Sequence, residues 1–257
     1  MRVAALSDKG MARAANQDSI FTSIKPVGCL PNLYIVADGM GGEKAGGYAS
    51  NSAIEYLLAY MTQNSTGNVN TKKENKPSKV LADAICYANM SIYKEALNND
   101  NLHGMGTTLV AASITEGILY VCNVGDSRLY IVNDSIRQIT RDHSYVEEMV
   151  LKGFMDRNSI EYEQNKNLIT RAVGVKKDID IDIFEMDFND RDVILLCSDG
   201  LTNMLYDDDI LETVRNAGDI DNAAKTLVAL ANNRGGVDNI SVILVTSDNY
   251  GVDEVDL

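Results

Sequence analysis

The 257 residues suit one large domain or two small ones, and 45% apolar residues are enough for a sizeable core without staples. A net charge of −14 sets the chain against nucleic acid, whose phosphates need basic neutralisation; it fits a metal-binding protein, although surface acids alone would give the same sum. Two histidines, His103 and His143, exclude a multi-histidine zinc site, and Cys29, Cys86, Cys122 and Cys197, without C-x-x-C spacing and mostly in apolar runs, read as buried reduced thiols of a cytoplasmic protein.

The first segment, MRVAALSDKG, has no apolar run of signal-peptide length. No later stretch approaches the roughly 20 apolar residues that cross a bilayer, so no membrane contact is expected. RVAAL, SIFTSI and LYIVA are strand-like runs bounded by turn residues. A helical stripe follows between Glu43 and Met61, with Ile54, Leu57, Leu58 and Met61 on one face. The polar stretch QNSTGNVNTKKENKP reads as a mobile connection. Ser78 is the expected N-cap of a second helix carrying Leu81, Ala84, Ile85, Ala88 and Ile92.

The strand-like TTLVAASI, ILYVCNV, RLYIV and IRQI come next. The charged, partly helical stretch from Tyr145 to Lys166 is expected as a surface insertion near the site. IDIFEMDF and DVILLCS resume the strands, Asp219 is an expected helix cap, and ISVILVT closes the series. Strands in consecutive runs and helices in pairs, without strict βαβ alternation, predict an α+β fold with antiparallel sheet between helical layers. Neither a repeat nor a linker divides residues 1–257.

Aspartates recur where apolar runs meet turns: Asp18 (NQDSIF), Asp38 (LYIVADGMGG), Asp126 (NVGDSRLYIV), Asp199 (LLCSDGL) and Asp238 (GGVDNISV). A carboxylate at the end of a buried strand is costly unless something neutralises it. Hard divalent cations do so and prefer carboxylate oxygens. Several such aspartates converging would make a two-metal site able to hydrolyse a phosphate ester. The glycines after Asp38 allow close backbone approach to a ligand, and the Gly39 carbonyl is itself a possible cation ligand. Asp199-Gly200-Leu201 repeats that design. Gly125-Asp126 taken alone reads as a tight hairpin turn. Arg13 suits bidentate phosphate binding. The stretch GMGTTLVAA and His143 read as structural, and His103 carries no signal. No P-loop, G-x-S-x-G or H-E-x-x-H is present.

Taken in order, these motifs resemble the metal-dependent protein serine/threonine phosphatases of type 2C, in their short bacterial form, along nearly the whole chain. R-x-x-N-x-D is Arg13, Asn16 and Asp18; DGMGG is Asp38 to Gly42; GTT is Gly106 to Thr108; GDSR is Gly125 to Arg128. DHS is Asp142 to Ser144, N-x-I/L-T-R-A is Asn167 to Ala172, SDGL is Ser198 to Leu201, and DN is Asp238-Asn239. The resemblance implies a four-layer α-β-β-α sandwich with two central, mainly antiparallel sheets. It implies two Mn²⁺ or Mg²⁺ ions, with Asp38 bridging both, Asp199 and Asp238 completing one site and the Gly39 carbonyl serving the other. Asp126 and Asp199 would hold a third, weaker ion, Asp18 would act through water, and Arg13 would hold the phosphate. Residues 145–166 would form the family's variable flap.

Two positions depart from the family's commonest pattern. Gln17 stands where the first motif often has Glu, which leaves Asp18 to carry that role and weakens the second metal. Met40 stands where eukaryotic members have a proposed histidine acid, so the leaving-group proton would come from metal-bound water. The implied reaction is in-line attack on phosphorus by a hydroxide between two cations ~4 Å apart, with no phosphoenzyme. The implied substrate is phosphoserine or phosphothreonine on a protein, opposing a serine/threonine kinase or acting on its targets, and the implied state is a monomer. The alternatives are a non-catalytic phosphoprotein- or nucleotide-binding module and a phosphatase of small metabolites.

Overall fold

The computed structural model describes residues 1–42, 45–64 and 76–248. Along the chain, strands β1 (Arg2–Asp8), β2 (Asp18–Ser23) and β3 (Leu33–Met40) precede helices α1 (Ala45–Asn64) and α2 (Pro77–Asn98). Strands β4 (Gly106–Thr107), β5 (Leu109–Thr115), β6 (Ile118–Val124), β7 (Arg128–Val132) and β8 (Ile136–Gln138) follow, then α3 (Tyr145–Leu151) and α4 (Ile160–Asn165). The last elements are β9 (Asp182–Asp187), β10 (Val193–Cys197), α5 (Asp199–Thr202), α6 (Asp207–Asn216), α7 (Ile220–Asn233) and β11 (Ile240–Thr246).

One sheet has the order β1-β11-β10-β7-β8, the other β2-β3-β5-β6-β9, with β4 on the end of β3. The named pairings are antiparallel. Alternation along each strand sorts its side chains between two apolar layers. Leu33, Ile35 and Ala37 face α1 and α2, whereas Tyr34 and Val36 face the other sheet. Leu195 and Cys197 face α6 and α7, whereas Ile194 and Leu196 face inward between the sheets. Central strands such as β10 and β11 are therefore buried on both faces and read as unbroken apolar runs. The architecture is the expected α+β sandwich of four layers, α-β-β-α.

Several local expectations are corrected. Ser78 is not the N-cap: Pro77 occupies the start of α2, where its missing N–H is harmless, and the Ser78 hydroxyl donates to Glu185 Oε1 at 2.7 Å. Gly125-Asp126 is no hairpin, because β6 and β7 lie in different sheets and the turn carries the chain across the sandwich. Cys122 and Cys197 are buried, but Cys29 sits in an exposed turn and Cys86 on the outer face of α2. Helix α6 was not expected from its polar sequence, DDDILETVRN; it buries Ile210 and Val214 and packs the partly buried Leu211 against the core. Residues 65–75 of the polar connection lie outside the described residues, as do Glu43 and Lys44. Among the described residues no helix is long and apolar enough to cross a membrane.

Candidate metal centre and active site

Antiparallel pairing sends β1, β3, β6 and β10 toward the same end of the sandwich at which β2, β7 and β11 begin. The register puts Asp18 opposite Asp38, Asp8 opposite Ile240, and Cys197 opposite both Val242 and Arg128. A cavity of about 830 Å³ opens there, lined by Arg13, Asp38, Gly39, Asp126, Asp199 and Asp238, with Gln17, Met40, Thr108, Asn167 and Asn239. Of the sequence-derived site residues, Asp18 alone does not line it. Asp18 lies beneath the floor, buried, with Oδ2 accepting from Ser198 Oγ and Ser241 Oγ, both at 2.7 Å.

The carboxylates act on one another. Asp38 and Asp199 are packed round by chain, with their open edges toward the cavity. Burial raises the Asp38 pKa well above the carboxylate range, and the charges of Asp18, Asp199, Asp126 and Asp238 add to it. Burial, then Asp199 and Asp142, does the same to Asp126. Asp199 is raised by burial and by Asp238, while Asn203 Nδ2, donating to its Oδ2 at 3.0 Å, opposes the rise. Asp18 is pushed up to about 6, mainly by burial. Asp18 Oδ1 and Asp199 Oδ1 are buried without a hydrogen-bond partner. Among the described residues no three His, Cys, Asp or Glu side chains close into a finished cage. Asp38, Asp126, Asp199 and Asp238 rim an open cavity instead.

Arg13, on the rim, donates from Nη2 to Asp238 Oδ2 at 2.6 Å. Gln17 turns its Nε2 to the Gly42 carbonyl at 2.6 Å. The glycine of each DG motif has a packing reason that sequence reasoning missed. A Cβ on Gly39 would lie 2.1 Å from the Gly46 carbonyl oxygen of α1, and one on Gly200 would lie 2.0 Å from that of Asn239. The backbone they admit is protein rather than ligand. Thr107 and Thr108 are structural, as expected: Thr108 Oγ1 accepts from Asp38 N, while Thr107 Oγ1 and Thr108 N donate to Asp38 O.

Other positioning groups were also missed. Asn239 Oδ1 accepts from Gln17 N, and its Nδ2 donates to the Lys9 and Ala15 carbonyls, tying the Arg13 segment to the start of β11. Ser198 and Ser241 had one available signal, a polar residue inside an apolar run. His143 is buried and structural: Nδ1 accepts from Gly125 N at 3.1 Å, so the Nε2 proton faces Asp182 at 3.2 Å. Burial lowers its pKa. Residues 145–166 fold as α3 and α4, held by Glu147 to Arg157 and to the Tyr162 hydroxyl, and the chain then brings Asn167 and Ile169 to the cavity.

A family model described as protein phosphatase 2C matches residues 11–228. The chain belongs to the protein phosphatase 2C family. This phosphatase is 36% identical over 246 residues to the serine/threonine phosphatase stp of Listeria innocua, covering 93% of each chain. It also resembles the solved S. agalactiae serine/threonine phosphatase, with a TM-score of 0.86 at 32% identity over 96% of this chain and 99% of that one. The catalytic domain of the serine/threonine phosphatase PstP, solved in complex with two manganese ions, superposes with a TM-score of 0.79 at 31% identity, over 95% and 96% of the two chains.

Proposed function

We propose that this phosphatase hydrolyses phosphoserine and phosphothreonine on proteins with two Mn²⁺ or Mg²⁺ ions held by its strand-end aspartates. The observation that carries the reading is the gathering of Asp38, Asp126, Asp199 and Asp238 on one cavity, with Asp199 Oδ1 buried and unpartnered. Carboxylates brought so close need a shared proton or a shared cation. An all-oxygen donor set suits hard divalent ions, and the unpartnered buried oxygen of Asp199 is a ready ligand. Asp38 would serve both ions, Asp199 and Asp238 one of them, and the Gly39 carbonyl the other. Asp126 with Asp199 would hold a third more weakly, and Asp18 would act through water. When bound, such ions acidify water toward neutral pH and neutralise phosphoryl oxygens.

The remaining work falls to the chain's own groups. Arg13, engaged through Nη2, has the rest of its guanidinium to orient a phosphate for in-line attack. Direct attack by water, with no phosphoenzyme, agrees with a cavity whose hydroxyl at Thr108 is committed to Asp38 N and Ser127. Met40 has no proton to give and His143 is tied to Gly125 and Asp182, so the leaving group takes its proton from water. We read residues 1–257 as one phosphatase domain with a flap over 145–166, working as a monomer in the cytoplasm on the products of a serine/threonine kinase. Unpaired surface thiols at Cys29 and Cys86 support a reducing compartment.

The test is hydrolysis of p-nitrophenyl phosphate and a phosphoserine peptide with Mn²⁺, with EDTA, and in Asp38→Ala. Independently of activity, Mn²⁺ at a hundred times its Kd raises stability by about 2.7 kcal/mol, and Asp38→Ala loses most of that gain. Undiminished hydrolysis in EDTA or in Asp38→Ala overturns the metal reading.

A further inference from the structure

A second cavity, of about 530 Å³, adjoins the first. Three stretches of chain contribute to both. Asp126 faces the first cavity and Arg128 the second; Asn167 faces the first and Lys166 the second; Asp199 faces the first and Asn203 the second. The Asn203 to Asp199 hydrogen bond crosses the wall between them. A polypeptide whose phosphorylated residue lies over Asp38 and Asp199 therefore brings its neighbours to this second cavity. Each extended residue advances that polypeptide by about 3.3–3.6 Å.

The two linings differ in charge. Four aspartates dominate the first, whereas Arg128, Lys166 and Arg234 line the second together with Asp142 and Glu163. Their acidic partners are largely spent inside the protein. Asp142 accepts Arg128 Nε and Nη2 as well as Gln138 Nε2. Asp209 accepts both terminal nitrogens of Arg234 and the Tyr206 backbone N–H. Glu163 Oε2 pairs with Lys166 Nζ at 2.9 Å from the solvent side, its side chain 65% exposed against 30% for the lysine. Each cation is thus paired, and the lining holds three of them against the two carboxylates of Asp142 and Glu163, an excess of one positive charge. The chain's overall negative charge acts only weakly beyond about 8 Å at physiological salt, so contact pairs decide inside the cavity.

We propose that this second cavity reads residues flanking the phosphorylated serine or threonine and takes an acidic side chain there. The inference rests on the phosphatase reading above. Its test compares two phosphoserine peptides that differ only in flanking positions, glutamate in one and lysine in the other, with the unsubstituted protein and Mn²⁺. The glutamate peptide should show a KM lower by about fivefold with similar kcat, the scale of one partly exposed ion pair. Lys166→Gln should erase the preference and Lys166→Glu reverse it. Lys166 is chosen because loss of Arg128 would strand the buried Asp142. Equal KM values, a lower KM for the lysine peptide, or a preference unmoved in both Lys166 variants overturns the inference. Turnover of p-nitrophenyl phosphate by the same preparation would leave the phosphatase reading standing in those cases; no turnover overturns both.

Discussion

Replacing Asn239 with alanine removes three hydrogen bonds at once: Gln17 N to Oδ1 at 2.8 Å, Nδ2 to Lys9 O at 2.8 Å, and Nδ2 to Ala15 O at 3.0 Å. The side chain is 4% exposed, so water does not already share these contacts. At about 1 kcal/mol net for each, the variant loses about 3 kcal/mol if the 9–17 segment stays in place. If the segment moves out to water, the stability loss shrinks and Arg13 moves with it, so the KM for p-nitrophenyl phosphate rises instead. Urea unfolding followed by circular dichroism reads the first quantity, and steady-state kinetics at saturating Mn²⁺ read the second. Asn239→Asp sharpens the test. It keeps the acceptor for Gln17 N but turns a charged acceptor toward two carbonyls, so it should be at least as damaging as alanine. Destabilisation below about 1 kcal/mol with unchanged KM in both variants would refute the idea that this side chain holds the rim.

Three further outcomes are expected. Gly200→Ala places a methyl 2.0 Å from the Asn239 carbonyl, which forces α5 off the Asp238-Asn239 turn; about 1–3 kcal/mol of stability and most activity should go, and an unshifted Tm would contradict the packing account. His143, lowered by burial and by Arg171 below its ordinary 6.5, is neutral in the fold. The unfolded chain binds its proton first, so the stability from neutral His143 is present above pH 6.5 and is lost as pH falls through the lower folded value. Relative to His143→Gln, the native protein should lose stability as pH falls from 6.5 to that value and hold a constant difference below it, and curves that stay parallel throughout exclude the effect. Arg157→Ala removes the guanidinium from Glu147, leaving it the Tyr162 hydroxyl. Because Arg157 is largely exposed, global stability should fall by less than about 1 kcal/mol while hydrogen exchange quickens across residues 145–166; unchanged exchange there would show that the pair does not hold the flap.

Much of the fold was legible because burial leaves a local trace. Residues 118–124, 128–132 and 240–246 form strands where apolar runs ended at turn residues. Asp219 caps α7 through Asn222 N, as its position before an apolar stripe suggests. Helix α6 escaped notice because its sequence offers little beyond Ile210, Leu211 and Val214 to bury. Ser78 misled because serine before an apolar stripe looks like a cap, yet Pro77 already starts the helix. Asp126 misled for a different reason. A Gly-Asp pair between two strand-like runs looks the same whether the runs pair with each other or belong to opposing sheets.

By itself the sequence determined where chain is buried, which carboxylates end buried runs, and a motif order specific enough to imply a phosphatase. Those properties are local: a few neighbouring residues fix whether a segment alternates, turns or caps. The tertiary structure alone decided that the two serines beneath Asp18 lie 180 and 223 positions away along the chain, that Gly39 and Gly200 make room for backbone, and that Asn203 stands between an aspartate-lined cavity and one with more cations than carboxylates. Such contacts arise from sheet pairing between distant strands, which local periodicity does not encode.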